Sequence, residues 1–170
     1  GFGHAKLEMD SLLDEPAEHR GEAFAFSFTY ALSNRFALGM RYDRTDPGKE
    51  PRAFDRARIT SYALIAAYRP IINDQNFLEA RAGFGTGIAA FRQPQRSFYS
   101  RANGGLLHAG VSWVRFLTDG VGLKFDVSSH MQNAQEVNTP DGEQEWFGTP
   151  ENPAVSSRVQ LATIGLLVRY

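Results

Sequence analysis

The last stretch of the chain, residues 157–170, limits the possible folds more than any other part of the sequence. Its side chains alternate between a mostly apolar set and a second set that contains Thr163, Gly165 and Arg169. A period of two over this length predicts a β-strand and disfavours a helix. An open sheet edge with so apolar a face would promote aggregation, so we expect the sheet to close into a barrel. The apolar set is Gln160, Ala162, Ile164, Leu166, Val168 and Tyr170.

Length and composition exclude several classes of protein. The 170 residues predict one domain, residues 1–170, and a net charge of −1 argues against a nucleic-acid partner. The absence of cysteine excludes disulfides and thiolate metal sites. No run approaches the roughly 20 apolar residues that a spanning helix needs. The negative mean hydropathy of −0.35 still permits a membrane barrel, because alternating strands average to a polar composition.

Seven further segments alternate with the same period, which gives eight predicted strands. The connections are alternately long and short, so that all long loops lie at one end. This asymmetry predicts an all-β fold, an eight-stranded antiparallel up-and-down transmembrane β-barrel. The long loops are predicted at 10–22, 45–57, 92–103 and 131–155, and the short turns at 33–35, 70–76 and 118–120.

The charged residues of the strands lie opposite the large apolar ones. If the apolar faces contact lipid, these charges face the lumen, where they must pair because unpaired buried charges are very costly. We expect a salt-bridge network that plugs the barrel. A soluble lipocalin-like barrel, with its apolar face inward, and a narrow pore are the alternatives. The predicted network consists of Lys6, Glu8, Arg41, Asp43, Glu79, Arg81, Lys124 and Asp126.

The final strand also carries a motif. Thr163-x-Gly165-x-x-Val168-x-Tyr170 resembles the carboxy-terminal β-signal of bacterial outer-membrane barrels, and nearly the whole chain resembles the OmpA/OmpX-type and opacity-type eight-stranded proteins. The resemblance implies a location in the bacterial outer membrane and insertion by the barrel assembly machinery. It also implies a structural or surface-binding role among outer-membrane lipid and lipopolysaccharide.

A second, weaker resemblance concerns catalysis. The segment from His130 to Ala134 resembles the His-x-Ser-Asn motif of the outer-membrane lipid A deacylases. Gln132 replaces the family's serine and cannot form an acyl-enzyme. The family's histidine faces lipid, whereas His130 has inward parity unless a bulge reverses it. A diverged deacylase remains an alternative, with His130 as its catalytic candidate, but we expect no catalysis.

Histidine parity raises the question of a metal site. His4, His108 and His130 are assigned inward parity, which fits either a metal site or a proton relay. We favour a third interpretation, polar members of the lumen network at different heights along the strands. The sequence therefore predicts no metal and no cofactor.

The predicted loops differ in charge. Arg52, Arg56, Arg96 and Arg101 form a basic half that we expect to contact lipopolysaccharide phosphates. Residues 10–22 and 136–151 form an acidic half, expected to meet a cation or an envelope protein partner. Trp146 and Phe147 are candidate partner contacts. Ordinary solvated loops are the alternative.

Overall fold

The computed structural model describes residues 1–10, 17–47, 56–73, 75–92, 100–138, 144–146 and 155–169. Nine strands contain nearly all of them. Within these ranges, no helix is long and apolar enough to cross a membrane. The strands are β1 (Phe2–Asp10), β2 (Ala17–Ala31), β3 (Phe36–Pro47), β4 (Arg56–Ile72), β5 (Asn76–Arg92), β6 (Ser100–Phe116), β7 (Val121–Asn138), β8 (Gln144–Trp146) and β9 (Val155–Val168).

Eight of the strands form a closed ring. Strands β1 to β7 pair antiparallel with one another in chain order, and β9 closes the ring by pairing with both β7 and β1. The three-residue β8 pairs with the end of β7. The prediction of an eight-stranded antiparallel up-and-down barrel is therefore confirmed.

Several predicted loops are partly strand. The predicted loop 10–22 shrinks because β2 begins at Ala17, and β7 continues to Asn138. The loop prediction relied on polar composition. Polar residues pair in a sheet as well as apolar ones do where both faces meet water. Composition therefore made the predicted strands too short at the long-loop end.

The large apolar side chains point outward. Phe84 on β5 and Val127 on β7 are each 65 % exposed, whereas the residues beside them in sequence face the interior. Phe28, Leu107 and Leu166 are exposed in the same way on β2, β6 and β9. This belt contradicts the lipocalin-like alternative, which requires the apolar face inside.

Small residues let the barrel curve. On the inner face of β5, a β-carbon added to Gly85 would overlap the carbonyl oxygen of Tyr62 and lie 2.7 Å from Cα of Ala63. Only glycine permits this approach of β5 to β4. The close contact supports the bending that ring closure needs.

Side chains occupy the interior of the barrel in layers. At the short-turn end, Arg69 lies over Phe77 at 4.8 Å, and Phe77 packs on Phe116 at 5.8 Å between ring centroids. Charged and polar residues fill the next layer. Nearer the long-loop end there is an apolar layer, formed by Ala5, Ala23, Ile59, Val159 and Leu161.

Candidate functional site

Asp126 on β7 is at the centre of the charged layer. Its Oδ2 accepts a hydrogen bond from Nη1 of Arg41 at 2.5 Å, and its Oδ1 accepts one from Nη2 of Arg81. Arg41 also donates to Ser128 Oγ at 3.2 Å, and Arg81 to Ser112 Oγ at 3.0 Å. All five side chains are buried. One carboxylate on β7 therefore holds two guanidinium groups, which enter from β3 and β5.

Two more carboxylates complete the charge pairing. Asp43 accepts hydrogen bonds from Nε of Arg41 at 2.9 Å on both of its oxygens. Glu79 accepts hydrogen bonds from Arg69 Nε at 3.0 Å and from Arg81 Nη1 at 3.3 Å. Lys124 Nζ lies 3.8 Å from Glu79 Oε1. Buried charges persist only when paired and hydrogen-bonded, and these contacts meet that condition.

The structure brings together six residues of the predicted network, but not all eight. Arg41, Asp43, Glu79, Arg81, Lys124 and Asp126 lie in the lumen. The lumen assignment of Lys6 was wrong. Lys6 lies opposite Arg20 and Gln160 on the outer face, because its neighbour Ala5 is the buried, inward residue. Glu8 follows on the same strand, with its side chain outside the described part of the chain.

Arg69 also belongs to the cluster, and its parity had placed it on the inward, charged face although the predicted network did not name it. Its parity with Ile65 and Ala67 was the available signal, because both of these residues are buried. Ser112 and Ser128 have the same kind of signal, since they alternate with outward Val111 and Val127. The predicted network contained only charged residues and not the hydroxyls that complete their hydrogen bonds.

Two histidines face each other beside the charged cluster. His108 and His130 are direct partners in the β6–β7 pairing, with ring centroids 4.7 Å apart. Nε2 of His130 lies 3.2 Å from Oδ2 of Asp43. The expectation that the histidines lie at different heights was wrong for this pair. His4 also departs from its predicted parity, because it is exposed on the outer face of β1.

The resemblance to the lipid A deacylases is not supported by these positions. His130 is buried toward the lumen, and Gln132 Nε2 donates to the carbonyl oxygen of Gly87 at 2.8 Å inside the barrel. The pairing of β7 with β9 is regular through this segment, so no bulge turns His130 toward lipid.

A second group of charged residues encircles the outside of the barrel. Along β2, β3 and β4 the outward positions are large and apolar up to Phe24, Tyr42 and Tyr62. Toward the long loops they become charged, and basic residues lie there beside the carboxylates Glu22 and Asp46. The same change occurs on β1, β6 and β9. We call this set the cationic rim, and it consists of Lys6, Arg20, Arg44, Arg58, Arg101 and Arg158.

An exposed carboxylate bridges two members of the cationic rim. Arg44 Nη2 lies 2.8 Å from Asp46 Oδ2, and Arg58 Nε lies 2.9 Å from Asp46 Oδ1. Partial burial alone would raise the pKa of Asp46, but hydrogen bonds from Arg58 and Arg44 outweigh it and lower the pKa below the ordinary value. Asp46 therefore stays ionised at neutral pH.

The comparisons with known proteins bear on the fold. No protein-family model and no curated protein sequence matches the chain. The crystal structure of Neisserial surface protein A (NspA) aligns with a TM-score of 0.63 and 15% identity, covering 99% of this chain and 94% of that chain. The attachment invasion locus protein Ail of Yersinia pestis aligns with a TM-score of 0.53 and 16% identity, covering 99% and 95%. The fold is that of the eight-stranded outer-membrane β-barrels.

An outer-membrane barrel of this type spans the bilayer with its strands. The exposed apolar belt meets hydrocarbon, and closure leaves no backbone hydrogen-bonding edge in lipid. The belt and the fold together support the predicted location in the bacterial outer membrane.

The predicted loop and signal residues of the outer-membrane barrel have different outcomes. Arg101 is exposed on the cationic rim. Arg56 begins β4 and Trp146 ends β8, but their side chains are not among those described. In the proposed assembly signal, Thr163 is buried and inward, whereas Val168 faces outward. Gly165 lies so close to Gly1 that an added β-carbon would be 2.6 Å from Cα of Gly1. The other predicted residues, Arg52, Arg96, Phe147 and Tyr170, lie outside the described residues.

Proposed function

We propose that the protein is a non-conducting surface barrel of the bacterial outer membrane that binds lipopolysaccharide phosphates through the cationic rim. The observation that carries the proposal is the change from apolar to basic outward residues on six strands, where the six basic side chains outnumber the described outward carboxylates, Glu22 and Asp46. It occurs toward the long loops, which in outer-membrane barrels face the cell exterior. Lipid A phosphates lie at that interface.

The chemistry of the cationic rim suits phosphate. Five of its six members are arginines, whose planar guanidinium groups bind phosphate oxygens through two parallel hydrogen bonds. Arg101 and Arg158 are exposed outward on β6 and β9, the two neighbours of β7. Arg101 pairs with Asn138 and Arg158 with Met131, seven residues apart on β7, so each arginine would contact a separate phosphate group. The rim replaces the predicted loop arginines as the main proposed contact.

Replacing Arg101 and Arg158 by glutamine is expected to weaken lipopolysaccharide binding about 30-fold, at about 1 kcal/mol for each basic residue near an anionic surface. Affinity is measured with detergent-folded barrel and purified lipopolysaccharide at low and high salt. The wild-type affinity should fall as salt rises, because charge contacts between exposed groups are screened.

The matched control replaces Arg35 and Arg115 by glutamine. Both are exposed arginines at the short-turn end, so the change in net charge is the same. The control is expected to bind like the wild type. Equal losses in the two variants would show that net charge, and not the rim, attracts the lipid. Unchanged binding by the rim variant would remove the proposal.

The non-conducting part of the proposal rests on the filled interior. The aromatic layer, the charged cluster and the apolar layer follow one another along the lumen. An eight-stranded barrel is only wide enough for side chains to fill its interior. We therefore expect the described side chains to leave no water-filled passage for ions.

In planar bilayers the wild-type barrel is therefore expected to show no steady single-channel conductance. A porin inserted in the same membranes shows that the recording would detect channels. Uniform conductance steps from the wild-type protein would contradict the plug and favour the narrow-pore alternative.

A further inference from the structure

We propose that Asp43, His108 and His130 bind one divalent transition-metal ion in the barrel lumen. One ligand atom from each residue lies within 4.8 Å of those from the others. Two imidazoles and one carboxylate are a ligand set that Zn²⁺ uses in proteins, with a further position open to water. Imidazole also suits Cu²⁺ and Ni²⁺. The proposal departs from the expectation, drawn from the sequence, that the chain holds no metal.

The ring nitrogens of the two histidines form no hydrogen bond within the described part of the chain. His108 is 3 % and His130 is 1 % exposed. Among the described residues, none of their four ring nitrogens has a hydrogen-bond partner. Nε2 of His130 is 3.2 Å from Asp43 Oδ2 but forms no hydrogen bond with it. Buried polar atoms are normally paired, and coordination to a metal would satisfy one nitrogen of each ring.

The barrel positions the three ligands from opposite walls. His108 and His130 are paired across β6 and β7, and Asp43 enters from β3, which lies opposite β7 in the ring. Zn–N bonds of about 2.1 Å place tetrahedral ligands about 3.4 Å apart. The present spacing of up to 4.8 Å therefore closes with side-chain shifts of about 1 Å, within the reach of small torsional changes.

Arg41 is compatible with a metal on Asp43. A carboxylate offers about four lone-pair positions, so Asp43 can accept from Arg41 and still coordinate. Arg41 fixes the orientation of Asp43 through hydrogen bonds of 2.9 Å, as an outer-shell partner of a metal ligand does. Its charge is also balanced by Asp126, 2.5 Å away. The cluster therefore presents Asp43 to the histidines.

The test measures Zn²⁺ bound to tag-free barrel, both when the ion is added after folding in detergent and when it is present during refolding. We expect one ion per chain in at least the second arm. His108→Asn and His130→Asn are each expected to lower the affinity at least about 100-fold, beyond the 10- to 100-fold cost of losing a second-shell partner. Binding should also raise the unfolding temperature of the wild type.

The control is the His4→Ala/His19→Ala variant, which removes the other two histidines of the chain. It should bind Zn²⁺ like the wild type. A second variant, His108→Cys, introduces the chain's only thiol and should bind Cd²⁺ more tightly than the wild type does. No stoichiometric Zn²⁺ in either arm, or binding lost in the control but kept in His130→Asn, would overturn the proposal.

Discussion

Replacing Asp126 with asparagine is expected to destabilise the folded barrel by about 3–5 kcal/mol, the usual cost of removing one partner from a buried ion pair. Asp126 binds both Arg41 and Arg81, and its side chain is only 4 % exposed. The variant leaves two guanidinium groups beside a neutral amide in a site shielded from water. The free energy of unfolding is measured by urea titration of the barrel in lipid vesicles.

Asp46→Asn provides a matched control. Asp46 also binds two arginines, Arg44 and Arg58, but its side chain is 42 % exposed. Exposed ion pairs contribute about 0–1 kcal/mol, so this variant should unfold almost like the wild type. Equal destabilisation of the two variants would contradict the view that burial makes the lumen cluster essential.

An arginine introduced at Val127 should have the next largest effect, because it would place a charge in the hydrocarbon. Val127 is 65 % exposed on the outer face, at the middle of the regular part of β7. On the lipid face of a membrane barrel, Arg costs about 2–4 kcal/mol at the bilayer midplane. Urea unfolding in vesicles measures the loss, and heat-modifiable gel migration reports the folded fraction.

The comparison is Asn133→Arg on the same outer face of β7, nearer the long loops. An arginine at this position should lower the free energy of unfolding by about 0–1 kcal/mol, because the destabilisation by a lipid-facing charge decreases toward the interface. The difference between the two positions is the signature of a bilayer. If Val127→Arg were harmless and the protein stayed monodisperse in buffer without detergent, the membrane assignment would fail.

The faces of the strands were predictable because the side-chain period is two. The register of the β6–β7 hairpin was predictable as well. Its tight turn at 118–120 sets Phe116 opposite Gly122, and the same register sets His108 opposite His130. The direct pairing of the histidines could therefore have been inferred from the turn.

Contacts across the lumen could not be predicted in this way. Asp43 reaches His130 from the far wall, and which side chains meet there depends on strand tilt and on the stagger accumulated around the ring. The faces of β1 were predicted wrongly for a different reason. Its apolar run Gly3, Ala5 and Leu7 suggested a lipid face, but in a crowded lumen the small residues point inward.

The pairing of β1 with β9 has a consequence for how the chain folds. It joins Phe2 to Ile164 and Met9 to Ser157, partners almost the whole chain apart. Strands β1 and β7 both lack one pairing partner until β9 is present. A folding intermediate without β9 therefore has unpaired backbone amide and carbonyl groups, which a bilayer does not tolerate. Synthesis from the amino terminus therefore yields no stable partial product. We therefore expect insertion into the bilayer to be all-or-none and to require β9.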